Sequence, residues 1–145
     1  MYKHILIATD GSELAGKAQV EGLALAQALK ARVTVLTVTP PFPMPGYGTM
    51  PAESLIEAHK KATPENAARI ISGAKAAAAA LGVSCDAIQV QHEEPAETIV
   101  ETAQSKRCDL IVMASHGYHG VKRMLLGSVA MKVLTHGKTP VLICR

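Results

Sequence analysis

The stretch 108–128, CDLIVMASHGYHGVKRMLLGS, decides how the rest of the chain is read. Its first seven residues, CDLIVMA, form an apolar run bounded by polar positions. Such a run is a strand buried on both faces. Glycine and histidine then break the pattern, Lys122 and Arg123 add positive charge, and apolar residues return. Gly127 and Ser128 open a short helix that runs to His136. The final TPVLICR, 139–145, reads as one more strand. Upstream, EEPAETIVETAQ (93–104) has Pro95 at a first helical turn, acids near the start, and Ile99, Val100 and Ala103 facing inward, which is a helix.

The same alternation extends to the N-terminus. HILIAT, residues 4–9, is a short buried strand, followed by the turn residues DGS. Ser12 is placed to cap a helix from residue 14 to residue 29, with Leu14, Ala18, Leu25 and Leu29 on a broad buried face and Val20, Leu23 and Ala24 nearby. RVTVLTV, 32–38, is β-branched and is the clearest strand. TPPFPMPGYGTMP, 39–51, carries five prolines and two glycines and makes an excursion over the surface. Residues 52–81 are helical in composition but interrupted by Pro64. Either one helix kinks there, or a new one starts with Thr63 as its cap. Gly82 stops it. VSCDAIQVQ, 83–91, is a more polar strand near an edge. The order β-α-β-α-β-α-β-loop-α-β implies an α/β fold with a mainly parallel sheet and helices on both faces.

With 145 residues, 48 % of them apolar, one domain over residues 1–145 with one core is expected. Aromatics are 3 % and Trp is absent, so Ala, Val, Ile and Leu must build that core. No apolar stretch approaches the roughly 20 residues of a membrane helix, and no signal-peptide pattern opens the chain. A soluble cytoplasmic protein without membrane association is the expectation. Three cysteines, Cys85, Cys108 and Cys144, are an odd number without C-x-x-C spacing. They read as small apolar residues in or beside strands, not as a disulfide framework or zinc site. The net charge of +3, with no dense basic run and few aromatics, does not suggest a nucleic-acid partner.

In an open α/β sheet, ligands bind beyond the carboxyl ends of the strands, where strand order switches. Two loops leave such ends: ATDGS at 8–12 and the loop that follows residue 114. The second has the chemistry of an anion site. Gly117 and Gly120 let backbone N–H groups approach a phosphate. The helix start at Gly127–Ser128 presents free N–H groups and a partial positive charge. An ordinary glycine turn with a serine cap is the plainer reading of the same residues. No P-loop motif is present, GKT at 137–139 precedes a strand and reads as a turn, and no G-x-G-x-x-G follows the first strand. His116 and His119 are too few for a structural zinc site. His116 instead fixes the loop or lies near phosphate. His4, His59, His92 and His136 read as surface or capping residues. Asp10 reads as an Asx-turn residue or, at the carboxyl end of the first strand, as a functional carboxylate.

ILIATDGS, VTVLTV, EPAETIVETA and DLIVMASHG…LLGSVAMKVLTHGKTPVLICR together resemble the universal stress protein family across nearly the whole chain. Its nucleotide-binding members carry Gly, two residues, Gly, nine residues, then Gly-Ser or Gly-Thr. The matching positions here are Ala114, Gly117, Gly127 and Ser128, with the first glycine replaced. That methyl is tolerated if residue 114 stays extended, and not if φ must be positive or the ribose packs on its Cα. The resemblance implies a five-stranded parallel sheet in the order 3-2-1-4-5. It implies that Ala8, Thr9 and Asp10 border an adenine nucleotide and that Val38 lines the adenine pocket. Met113, Ala114 and Gly117 would approach ribose and phosphates, with Gly127, Ser128, Val129 and Ala130 holding the phosphates. ATP, or ADP or AMP, with Mg²⁺ or Mn²⁺ on the phosphates, is the implied ligand. A homodimer through the last strand, residues 140–144, is expected because nothing covers its outer edge. No constellation for activating water is visible. The expected function is ligand-dependent interaction in stress response or signalling, with slow ATP hydrolysis at most. A nucleotide-independent dimeric interaction protein of the same fold and a slow ATPase are the alternatives.

Overall fold

The computed structural model describes residues 1–41, 53, 56, 60, 63–117 and 126–145. The chain runs β1 (His4–Ala8), α1 (Glu13–Leu29), β2 (Arg32–Thr39), α2 (Pro64–Ala80), β3 (Cys85–Gln91), α3 (Pro95–Ser105), β4 (Leu110–Ala114), α4 (Ser128–His136) and β5 (Val141–Cys144). The five strands form one sheet in the order β3-β2-β1-β4-β5, and every pairing is parallel. The polar strand β3 lies at an edge, as its composition suggests, and β5 forms the other.

β1 and β4 are buried along their whole length, which is why both read as unbroken apolar runs. Their register pairs Ile5 with Leu110 and Ile7 with Val112. Successive residues alternate between faces. Ile5, Ile7, Leu110 and Val112 pack with Ala15, Ala18, Leu23 and Ala26 of α1 and Ala74 and Ala78 of α2. Leu6, Ala8, Ile111 and Met113 pack with Ala96, Ile99 and Ala103 of α3 and Ala130 and Val133 of α4. The molecule is therefore three layers, with α1 and α2 on one face and α3 and α4 on the other.

The buried face of α1 differs from the leucine-rich face expected from its spacing. Ala15, Ala18, Gly22, Leu23 and Ala26 face the sheet, whereas Val20 and Leu29 are exposed. The cause is close approach. A Cβ on Gly22 would lie 2.7 Å from Ile7 Cδ1 and 3.3 Å from Val112 Cγ1, so small residues set the distance between helix and sheet. Pro64 begins a helix instead of kinking one. Thr63 is extended and its hydroxyl accepts from the Asn66 amide at 3.2 Å, with Pro64 in the first turn. The excursion beyond residue 41 and His59 lie outside the described residues.

His4 corrects a second expectation. It is neither a surface nor a capping residue but is buried at the amino end of the sheet. Its Nδ1 donates to the Lys106 carbonyl at 3.1 Å, and its Nε2 is 2.9 Å from Thr34 Oγ1. A carbonyl only accepts, so Nδ1 carries the proton and Nε2 accepts from Thr34. His92 is a surface residue, its Nδ1 accepting from the Glu94 amide at 2.9 Å in the turn before α3. The three cysteines are free and lie in or beside strands. Burial raises all three thiols, Cys108 to about 11, which keeps them protonated and unreactive at neutral pH.

Candidate functional site

The order β3-β2-β1-β4-β5 places the reversal of strand order between β1 and β4. The loops leaving their carboxyl ends therefore face one another at the position where open α/β sheets take ligands.

The first loop is held by its own side chains. The Thr9 amide donates to the Leu36 carbonyl at 2.9 Å, continuing the sheet by one residue. The Gly11 amide donates to Thr9 Oγ1 at 3.2 Å, and the Ser12 amide donates to Asp10 Oδ1 at 2.9 Å. This is an Asx-turn, with Gly11 at φ 81° where a side chain would be strained. Ser12 then caps α1 by accepting from the Ala15 amide at 3.2 Å. The chain turns sharply, and the Asp10 carboxylate is aimed across the mouth.

The second loop meets it there. A Cβ on Gly117 would lie 2.5 Å from Asp10 Oδ2, so the carboxylate occupies the space that any other residue's side chain would need. Ser115 is the junction of this half. Its amide donates to the Cys144 carbonyl of β5 at 2.8 Å, and its carbonyl accepts from the Gly127 amide at 2.6 Å. Its hydroxyl is 3.0 Å from His116 Nδ1. A Cβ on Gly127 would lie 3.0 Å from the Ser115 carbonyl oxygen and 3.4 Å from His116 Cα. Glycine at 127 thus lets the start of α4 close onto the end of β4. Gly127 is the N-cap of α4 and supplies no side-chain hydrogen bond to the first turn. The amides of Ser128, Val129 and Ala130 start the helix without a side-chain acceptor, at its positive end.

The residues singled out from sequence fall into two groups. Ala8, Thr9, Asp10, Met113, Ala114, His116, Gly117, Gly127, Ser128, Val129 and Ala130 all lie at the carboxyl ends of β1 and β4 or at the start of α4. Val38 lies at the end of β2 and packs with the cluster that holds Ala8 and Met113. Ala114 is extended in β4, paired with Cys144, and has no positive φ. Its methyl belongs to the α1 face of the sheet, opposite the face that carries Ala8, Met113 and α4. The extended backbone that alanine needs at this position is present. Gly120, His119, Lys122 and Arg123 lie outside the described residues. Ser115 escaped the sequence reading. It is buried at 3 % exposure, and the signal was a polar residue directly after a fully apolar strand. Among the described residues, no three His, Cys, Asp or Glu side chains converge on a point that could hold a metal ion.

The sequence profile of the universal stress protein family matches residues 1–145. The chain belongs to that family. A curated member of the family, universal stress protein MJ0531 of Methanocaldococcus jannaschii, is 34 % identical over 145 residues, spanning 100 % of this chain and 83 % of the relative. Among solved structures, that of hypothetical protein MJ0577 superposes with a TM-score of 0.77 at 32 % identity, covering 99 % of this chain and 96 % of that one. A universal stress protein crystallised in complex with cAMP superposes at 0.74 with 26 % identity, covering 99 % and 97 %. The sheet order expected of the family is the order found, and no helix among the described residues is long and apolar enough to cross a membrane.

Proposed function

We propose that this universal stress protein binds an adenine nucleotide at the mouth between β1 and β4 and acts through ligand-dependent interaction. The observation that carries the reading is the uncapped first turn of α4, brought against β4 by the Gly127–Ser115 hydrogen bond at the switch point. Backbone amides at a helix start suit phosphate. The cAMP complex of a relative with the same fold supports the adenine assignment. In this reading Val38 lines the adenine pocket, Ala8, Thr9, Asp10, Met113 and Ala114 border the nucleoside, and Gly117, Gly127, Ser128, Val129 and Ala130 surround the phosphates. ATP, ADP and AMP share the groups this site would read. Mg²⁺ or Mn²⁺ would arrive on the phosphates, since magnesium is commonly held by one or two carboxylates and substrate oxygens, and Asp10 brings a carboxylate to the mouth.

The test is direct. Heating the purified protein should release an adenine nucleotide, or added AMP, ADP or ATP should raise the melting temperature. Gly117→Val should abolish that shift with the fold retained, because its side chain enters the space of the Asp10 carboxylate. No released nucleotide and no shift with any of the three would refute the reading and leave the nucleotide-independent alternative.

The homodimer proposal rests on β5. β5 pairs with β4 alone among the described residues. A groove of about 600 Å³ between α1 and β5 is lined by Gly16, Val20, Leu142 and Cys144 together with the charged Glu13, Lys17, Glu21 and Arg145, with Val20 67 % and Leu142 40 % exposed. On the opposite face Met131 and Leu134 are exposed, on the flank of α4 away from Lys132 and His136, which line a groove with α3. An antiparallel pairing of residues 140–144 across a two-fold axis would cover the edge. Sedimentation at micromolar concentration should give a dimer, and Leu142→Arg should shift it toward monomer. A wild-type monomer under those conditions refutes it.

A further inference from the structure

Every pairing in the sheet is parallel, so the five strands begin at one end of the molecule and the helices between them begin at the other. Charge follows that direction. Asp10 stands where β1 ends, and Glu13, Glu65 and Glu97 stand in the first turns of α1, α2 and α3. At the opposite end Lys3 precedes β1, Lys30 and Arg32 lead into β2, Lys106 and Arg107 lie before β4, and Lys138 lies before β5. Lys106 is half-buried and the other five are exposed. Backbone hydrogen bonds hold these strand starts side by side. The Arg32 amide donates to the Lys3 carbonyl at 3.0 Å, and the Asp109 amide donates to the His4 carbonyl at 2.9 Å.

Two acids share this end. Asp109 is committed to the backbone, its Oδ2 accepting from the Lys3 amide at 2.9 Å and its Oδ1 from the His4 amide at 3.1 Å. Asp86 sits on the edge strand β3, paired with Thr34. Among the described residues the salt bridges join Lys17 to Glu13 and Lys132 to Glu94, and none of the six cations takes part. A helix C-terminus favours a cation, which accounts for the charge of Lys30, Lys106 and Arg107. It does not account for Lys3 and Arg32, which open strands. Nor does it account for the backbone, because Lys30 and Arg107 both stand at φ 55°, the left-handed region that glycine fills most readily. α2 is followed by Gly82 at φ 67°, whereas α1 and α3 are followed by a cation in the same conformation. Strain kept where a glycine would remove it points to a use for the side chain.

We propose that this amino-end face docks an acidic polypeptide segment of a partner protein, whose carboxylates meet the row of cations from Arg32 through Lys3 and Arg107 to Lys138. The strand starts of β2, β1, β4 and β5 lie side by side at about 4.8 Å, so the row is about 15 Å long and matches roughly five residues of extended chain. The two arginines can each take a carboxylate through paired N–H groups. An anionic bilayer fits less well. The antiparallel β5 pairing proposed above reverses strand direction, which would bring the acidic end of the second protomer level with this face. Single-stranded nucleic acid fits less well because stacking platforms are missing; Tyr2, the aromatic residue at this end, packs against the core. The docking face is independent of the nucleotide reading and lies at the end of the sheet opposite the mouth.

Fluorescence anisotropy of a labelled octaglutamate peptide, without nucleotide and at low and raised salt, tests this. Wild type should bind octaglutamate, lose it as salt rises, and ignore octaglutamine. The double variant Lys30→Gly, Arg107→Gly should weaken octaglutamate about tenfold, roughly threefold for each exposed ion pair. Its urea midpoint should stay the same or rise, because glycine relieves both left-handed positions. Lys132→Gln, beside Glu94 at the other end, should leave the peptide affinity unchanged. No binding of octaglutamate by the wild type would overturn the proposal. So would a double variant that binds as tightly as Lys132→Gln, whether or not its midpoint moves. Phosphatidylserine vesicles or a DNA duplex that bind more tightly than octaglutamate, with the same loss in the double variant, would assign the face to a membrane or to nucleic acid and overturn it as well. None of these outcomes bears on adenine nucleotide binding, which is measured separately.

Discussion

Replacing glycine by alanine inside a helix usually stabilises, and on α1 the structure expects opposite signs at two glycines six residues apart. Alanine is favoured over glycine by roughly 0.8–1 kcal/mol in a helix interior. At Gly16 nothing lies within 4 Å of the new methyl, so Gly16→Ala should collect that gain in full. At Gly22 the methyl would stand 2.7 Å from Ile7 Cδ1, 3.0 Å from Ile7 Cγ1 and 3.3 Å from Val112 Cγ1. Ile7 and Val112 are both wholly buried in the central strands, so neither side chain has space to move into. Overpacking of this kind costs about 1–3 kcal/mol, against about 1 kcal/mol gained. Gly22→Ala should therefore be destabilising by up to roughly 2 kcal/mol, a difference of about 1–3 kcal/mol from Gly16→Ala. Urea unfolding at one fixed protein concentration, compared by midpoint at unchanged slope, is the assay. Gly73→Ala on α2, also with nothing within 4 Å, repeats the favourable case away from the β5 groove. A Gly22→Ala protein as stable as Gly16→Ala would refute the claim that small residues set the α1–sheet distance.

Three further outcomes follow from particular contacts. Burial, followed by the charge of Arg32, lowers the His4 pKa below its ordinary value of 6.5 despite the Lys106 carbonyl and Asp109. The neutral ring is the folded form, so its contribution is complete above pH 6.5 and is lost as pH falls through the folded pKa. Unfolding midpoints measured downward from pH 7.5 should show that decline, and His4→Gln should remove its share of the slope. Ser12→Ala should cost about 1 kcal/mol by removing the acceptor for the Ala15 amide, whereas Ser12→Gly should cost only a few tenths. A Ser12→Ala protein as stable as the wild type in urea unfolding would show that the cap bond is not what matters. Gly127→Ala should weaken AMP binding more than it lowers the melting temperature, because its methyl meets the Ser115 carbonyl oxygen at 3.0 Å and backbone on both sides resists. Unchanged AMP affinity in calorimetry would separate the α4 start from the ligand.

The element order was legible because local signals agreed with one another. LIVMA (110–114) and ILIA (5–8) are apolar without interruption because β4 and β1 are covered on both faces. Ser12, Thr63 and Pro64 mark helix starts by chemistry that acts within four residues. The mouth was legible for a related reason: glycines and a helix start at set spacing after a buried strand make a loop that carries amides to one place. Where sequence reading failed, a partner distant in the chain was responsible. Periodicity put Leu29 in the buried face of α1, but contact with Ile7 and Val112 selected the alanine and glycine stripe. Isolated histidines looked alike until Thr34 and the Lys106 carbonyl, 30 and 102 residues away, closed around His4.

The amino-acid sequence by itself therefore determined the alternation of strands and helices, the caps, and which two loops could present backbone amides to an anion. It did so because those features depend on neighbours within a turn or two of chain. Tertiary structure alone decided that the Asp10 carboxylate stands over Gly117, that the Ala114 methyl turns to the α1 face, and that Ser115 ties β4 to β5 and α4 at once. Each of these is set by packing between segments as many as 107 residues apart, where distance along the chain carries no information about distance in space.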